Sequence, residues 1–111
     1  MMAFEIVLTP DFKKDLKQIA KKHKQILNDI GGLIDKLTKN PTMGTDLGQN
    51  VYKIRLSISG TNKGKSGGAR VITYVVLADT TVFLAEIYLK SEFDTADVNL
   101  LIGRLKDQGL I

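Results

Sequence analysis

The sequence predicts an α+β domain: one strand, a helical hairpin, three consecutive strands and a closing helix. Three observations carry that reading. Apolar residues recur at helical spacing from Phe12 to Leu37, then switch to a period of two from Val51 onward. Turn-forming Gly, Pro and Asn residues punctuate each change. The length, 111 residues at 43% hydrophobic, suits one domain with one modest core.

Phe4 to Leu8 is short, apolar and partly β-branched, as a strand requires. Thr9, Pro10 and Asp11 supply an N-cap, a proline at the first helical position and an acid in the first turn. Apolar residues follow at Phe12, Leu16, Ile19 and Ala20, then at Ile26, Leu27, Ile30, Leu33, Ile34 and Leu37. Periodicity alone fits one long helix or a hairpin. The better place for a turn is Lys21–Lys24, because Gly31 and Gly32 sit inside the apolar stripe. Asn40-Pro41 ends the helical region, since a residue before proline avoids helical angles.

Residues 42–50, with Gly44, Gly48 and Asn50, read as a loop. From Val51 to Ser59 the chain alternates: Tyr52, Ile54, Leu56 and Ile58 point one way, Lys53, Arg55, Ser57 and Ser59 the other. Gly60 to Gly68 reads as a flexible connection. Ala69 to Ala78 is nearly continuous apolar sequence, the mark of a central strand covered on both faces. Asp79-Thr80 suits a hairpin into Val82–Lys90, where Phe83, Ala85, Ile87 and Leu89 form one face and Glu86, Tyr88 and Lys90 the other. Val98, Leu101, Ile102 and Leu105 have helical spacing, and Gly109 is a natural stop. Short connections favour a four-stranded, mostly antiparallel sheet with the helices on one face and the other face partly open.

Composition removes several functions. There is no cysteine, so no disulfide scaffold, thiolate zinc site or cysteine nucleophile. A single histidine, His23, excludes a histidine pair for acid–base work and argues against a metal centre; its own role reads as structural. No signal peptide or membrane span is apparent, so a soluble, cytoplasmic protein is expected.

The net charge is only +4, but residues 51–75 hold Lys53, Arg55, Lys63, Lys65 and Arg70 without one acid. Residues 76–111 carry six acids against three bases. An acid-free basic block of this kind suits phosphate binding. The lysines at 13, 14, 17, 21, 22 and 24 fall on the polar face of an amphipathic helix and read as a solvated surface. Gly60–Ser66 approaches a phosphate-binding loop but has three residues where that motif needs four, and a strand follows instead of a helix. Nucleotide hydrolysis is excluded.

Tyr52-Lys53-Ile54-Arg55, the run Lys63-Gly64-Lys65-Ser66-Gly67-Gly68-Ala69-Arg70-Val71-Ile72-Thr73-Tyr74, and Glu86-Ile87-Tyr88-Leu89-Lys90-Ser91 together resemble the RelE/ParE toxin superfamily, nearest its HigB/RelE-like branch. The resemblance spans nearly the whole chain and is most specific at Lys-Ser-Gly-Gly-Ala-Arg. It implies a toxin of a type II toxin–antitoxin pair, with a helix-turn-helix protein as the expected antitoxin. It further implies metal-independent cleavage of messenger RNA on the ribosome. ParE-like relatives with the same fold instead poison gyrase, and a member that binds RNA without turnover is a further alternative.

Such cleavage uses the 2′-hydroxyl as internal nucleophile, so the enzyme must align the attack, move two protons and neutralise charge on the phosphate. The resemblance assigns this work to Lys53, Arg55, Arg70 and Lys90. Arg70 and Arg55 would clamp phosphate oxygens, because guanidinium matches them in a fork. Lys53 would handle a proton, and Lys90 would act as acid or phosphate contact. Tyr88 and Tyr74 offer rings for base stacking, with core packing the alternative for each. Lys63 and Lys65 would steer RNA. Glu86 is expected to pair with Arg55 or Arg70. After Lys90 the chain departs from relatives that carry a second cation and a later tyrosine or histidine: Ser91, Glu92, Phe93 and Asp94 stand there.

Overall fold

A computed structural model describes residues 3–59, 68–90 and 97–111. Its elements are β1 (Glu5–Leu8), α1 (Pro10–Ala20), α2 (Ile26–Lys39), β2 (Thr45–Gly48), β3 (Val51–Leu56), β4 (Ala69–Val76), β5 (Thr81–Leu89) and α3 (Val98–Asp107). The hairpin turns at the lysine-rich stretch, where the His23 amide donates to the Ile19 carbonyl at 2.9 Å. Gly31 and Gly32 lie within α2, as their place in the stripe predicts.

Thr9 fixes where α1 begins. Its hydroxyl accepts from the Phe12 amide at 3.1 Å and donates to the Leu84 carbonyl at 3.0 Å. One buried side chain thus caps the helix and anchors it to β5. At the other end of the chain Asp97 caps α3 by accepting from the Leu100 amide at 3.0 Å. The helix closes at Gly109 (φ +72°), with Gly109 and Leu110 amides returning to the Lys106 and Leu105 carbonyls. That paired return is the Schellman closure glycine permits.

The sheet has five strands in the order β1-β5-β4-β3-β2, with β1 parallel to β5 and all other pairs antiparallel. The strand count corrects the expected four. Residues 45–48 are β2 rather than loop, paired with β3 through a turn in which Gln49 and Asn50 both have positive φ. Positive φ at both central residues gives the twist a two-residue hairpin needs. A four-residue, largely exposed edge strand has no apolar alternation to announce it. Its approach depends on Gly44, at φ +100°, where an added Cβ would meet the Lys53 carbonyl oxygen at 2.5 Å.

The main core lies between the hairpin and one sheet face: Phe12, Leu16, Ile30, Leu33 and Leu37 meet Ile54, Val71, Val75, Leu84 and Ile87. The second face, expected to be partly open, carries α3 over part of its area. Leu101 and Leu105 pack on Val51, Ile72, Ala85 and Tyr88. Both faces of β4 are therefore covered, which its continuous apolar run requires.

A register shift in the β4–β5 ladder overturns the predicted faces of β5. Ile72 pairs with Glu86 while Thr73 pairs with Leu84, leaving Ala85 as the extra residue of a bulge. The bulge moves Ala85 to the α3 side and leaves Val82, Leu84 and Ile87 together in the main core. Strict alternation misplaces Phe83 and Ala85 because one inserted residue inverts everything beyond it.

Candidate active site

Residues directly opposite in a ladder project from the same face. Arg55 is opposite Arg70, and Arg70 is opposite Tyr88, so these three form one row across β3, β4 and β5. The neighbouring row is Lys53, Ile72 and Glu86. Beyond the arginines, the Lys90 amide donates to the Gly68 carbonyl at 2.9 Å, which places Lys90 in the row on the other side. Lys53, Arg55, Arg70 and Lys90 thus occupy one sheet face, with the arginines in the middle row.

Their environments differ. Arg70 is only 4% exposed, and its guanidinium donates to its neighbour's carbonyl, Ala69, at 3.1 Å. Lys53 and Lys90 are half-buried, and Arg55 is exposed. β2 ends opposite Lys53, so β3 is the sheet edge at Arg55. Arg55 accordingly also borders a 330 Å³ cavity against α2, near Lys36 and Asp29. Asp29 there accepts from both the Ser59 amide and hydroxyl, at 2.8 and 2.5 Å, and anchors the end of the chain that leaves β3.

Two arginines facing each other across adjacent strands repel, and like charges in this position destabilise a sheet. An anion seated between them would gain a guanidinium fork on each side.

The aromatic residues are set back. Tyr88 is 5% exposed and packs with Leu101 and Leu105, at the inner end of the arginine row. Tyr74 lies opposite Val51, four residues along β4 from Arg70, or roughly 13 Å by strand geometry, and packs against the same cluster. Lys63 and Lys65 lie outside the described residues, as do Ser91 to Asp94. Among the described residues no three His, Asp or Glu side chains come together as metal ligands.

Glu86 shares the arginines' sheet face but does not take Arg55 or Arg70 as its charge partner. The charged groups that act on it are Arg104 of α3 and Asp15 and Asp11 of α1, and burial is the largest influence, raising its pKa. Asp15 is likewise raised, by burial first and Asp11 second, with Lys14 and Arg104 opposing. Asp15, Glu86 and Arg104, brought together from three elements, border a 520 Å³ cavity that the chain's spacing did not reveal. The only hint was that Glu86 shares a face with the basic residues.

The fold has a known counterpart. The chain is similar to the solved structure of an arginine-to-alanine double mutant of the E. coli toxin RelE in the free state, at 14% identity and a TM-score of 0.58. The likeness covers 96% of this chain and 98% of that one, and shows the fold. No curated protein matches the sequence. Residues 6–92 match the family described as ParE toxin of type II toxin-antitoxin system, parDE. That span covers β1 through the end of β5, and on it the chain belongs to the ParE toxin family, within the RelE/ParE superfamily of type II toxins.

Proposed function

We propose that this toxin is a metal-independent endoribonuclease that cuts messenger RNA on the ribosome and so arrests translation. The observation that carries the reading is the opposed Arg55–Arg70 pair with Lys53 and Lys90 in the rows beside it. Three strands present four cations on one face, which is what an in-line attack by a 2′-hydroxyl on its own phosphate demands of a protein without histidine pairs.

In this mechanism Arg55 and Arg70 hold the non-bridging oxygens of the scissile phosphate and stabilise the charge that grows on them. Lys53 takes the 2′-hydroxyl proton as that oxygen bonds to phosphorus. Lys90 protonates the departing 5′-oxygen. The bond to that oxygen breaks, leaving a 2′,3′-cyclic phosphate and a 5′-hydroxyl. The neutralising partner is a cognate antitoxin, as for type II toxins generally, and a helix-turn-helix protein is the expected form. The setting is the cytoplasm; no helix among the described residues is long and apolar enough to cross a membrane.

Induced expression tests this directly. Growth should stop, with transcript ends clustering inside translated codons. Lys53→Ala and Arg55→Ala should restore growth at equal soluble protein. The match to the ParE family favours a second reading, inhibition of gyrase without chemistry. Intact transcripts together with blocked supercoiling would establish it in place of the first.

A further inference from the structure

The 520 Å³ cavity where α1, β5 and α3 meet is left without a role by the cationic rows. Its volume lies in the range of small-ligand sites. Ile19, Ile87, Leu89 and the ring of Tyr88 give it apolar walls, as a flat heterocycle requires. Its polar groups are of both kinds: the carboxyls of Asp15 and Glu86 as acceptors, and Arg104, Gln18, Lys22 and His23 as donors.

The position ties the cavity to the row that holds the phosphate. Tyr88 belongs to both, standing opposite Arg70 on one side and lining the cavity on the other. Glu86 is one strand across and two residues along from Arg70, roughly 8 Å between Cα atoms by sheet geometry.

The chemistry of the acceptors selects among bases. Burial and mutual crowding with Asp11 act against the charged forms of Asp15 and Glu86, and Arg104 offsets this only in part. A ligand donating two hydrogen bonds to one carboxylate would relieve it. Guanine alone among the four bases carries adjacent donors, N1–H and the N2 amino group, with an acceptor, O6, beside them. Adenine and cytosine pair a donor with an acceptor there, and uracil flanks one donor with two acceptors.

We propose that this cavity is a nucleobase subsite that reads the Watson–Crick edge of guanine, next to the phosphate held by the Arg55–Arg70 row. A carboxylate of Asp15 or Glu86 accepts from N1–H and N2–H, and Arg104 or Gln18 donates to O6. The apolar walls hold the ring faces. The inference rests on the endoribonuclease reading for its biological sense, but not for its test.

The test is an amide-resolved NMR titration of the full chain with GMP, AMP, CMP and UMP in turn. GMP should shift amides at Gln18, Ile87 and Arg104 and bind roughly tenfold more tightly than AMP, the discrimination one bidentate pair supplies. Glu86→Gln and Asp15→Asn, with spectra showing the fold intact, should bring the four nucleotides to parity. Equal affinity for all four, or shifts elsewhere, would overturn the proposal. So would arginine amide displacing GMP at equal strength, which would make this a pocket for a protein side chain. GMP selectivity in a protein that leaves transcripts uncut would retain the subsite and remove only the nuclease reading.

Discussion

Replacing Arg55 with glutamine separates a structural role from a functional one. Arg55 stands opposite Arg70 across β3 and β4, so the substitution removes one member of a like-charged pair. Two unit charges on side chains facing each other across neighbouring strands repel by about 0.5–1 kcal/mol in a water-like medium before screening. Salt at 0.15 M, with a Debye length of about 8 Å, cuts it to roughly half, while at 0.01 M most of it survives. The burial of Arg70 strengthens the coupling, so a gain of about 0.3–1 kcal/mol is expected. Urea unfolding should therefore show Arg55→Gln to be at least as stable as the parent, with the gain shrinking as salt is added. Cleavage should fall about 10²–10³-fold, the usual consequence of losing one donor to a developing oxyanion. A loss of more than about 1 kcal/mol with activity retained would refute the reasoning, because an exposed residue with no structural role should not cost that much.

Thr9→Val keeps shape but removes the cap and the link to Leu84, so it should cost about 2 kcal/mol in urea melts; a cost below about 0.5 kcal/mol would mean the hydroxyl does neither job. Gly44→Ala should lose about 1–3 kcal/mol, because both its φ and the Lys53 carbonyl exclude a Cβ, whereas Gly31→Ala, in open space within α2, should gain about 0.5–1 kcal/mol. The raised Asp15 and Glu86 pKa values mean that the folded state holds protons that the unfolded state has already released. Their contribution to stability is thus full below the ordinary carboxylate range and lost as pH rises through the raised values. The Asp15→Asn, Glu86→Gln double variant should melt above the parent at pH 7 and level with it near pH 4; a lower melting point at pH 7 would reverse the sign and contradict the assignment.

Much of this was legible where a residue's neighbours in sequence decide its place. Phe12, Leu16 and Ile19 mark the α1 face, and the lysines at 21–24 mark the turn, because helical period and turn chemistry are local. Lys53 and Arg55 share a face for an equally local reason, and ladder register then brings Arg70 opposite. What stayed hidden depends on distant partners. β2 forms because Gly44 lets its backbone approach Lys53, and nothing in Thr45–Gly48 itself alternates. The Ala85 bulge inverts the pattern of β5 with no glycine to mark it. The expected pairing of Glu86 with Arg55 or Arg70 failed for a related reason. Leu101 and Leu105 could be read as core, but not as core on the opposite side of the sheet, and it is that choice which carries Arg104 to Asp15 and Glu86.

The central claim is that the arginine row catalyses attack by a ribose hydroxyl. It is tested most directly by a translated message carrying a single 2′-deoxy nucleotide immediately 5′ of a mapped cut. Cleavage there should vanish while cuts elsewhere in the same message persist with 2′,3′-cyclic phosphate ends. Undiminished cutting at the deoxy position would show that the nucleophile comes from somewhere else, and a message left whole at every position would contradict nuclease action altogether.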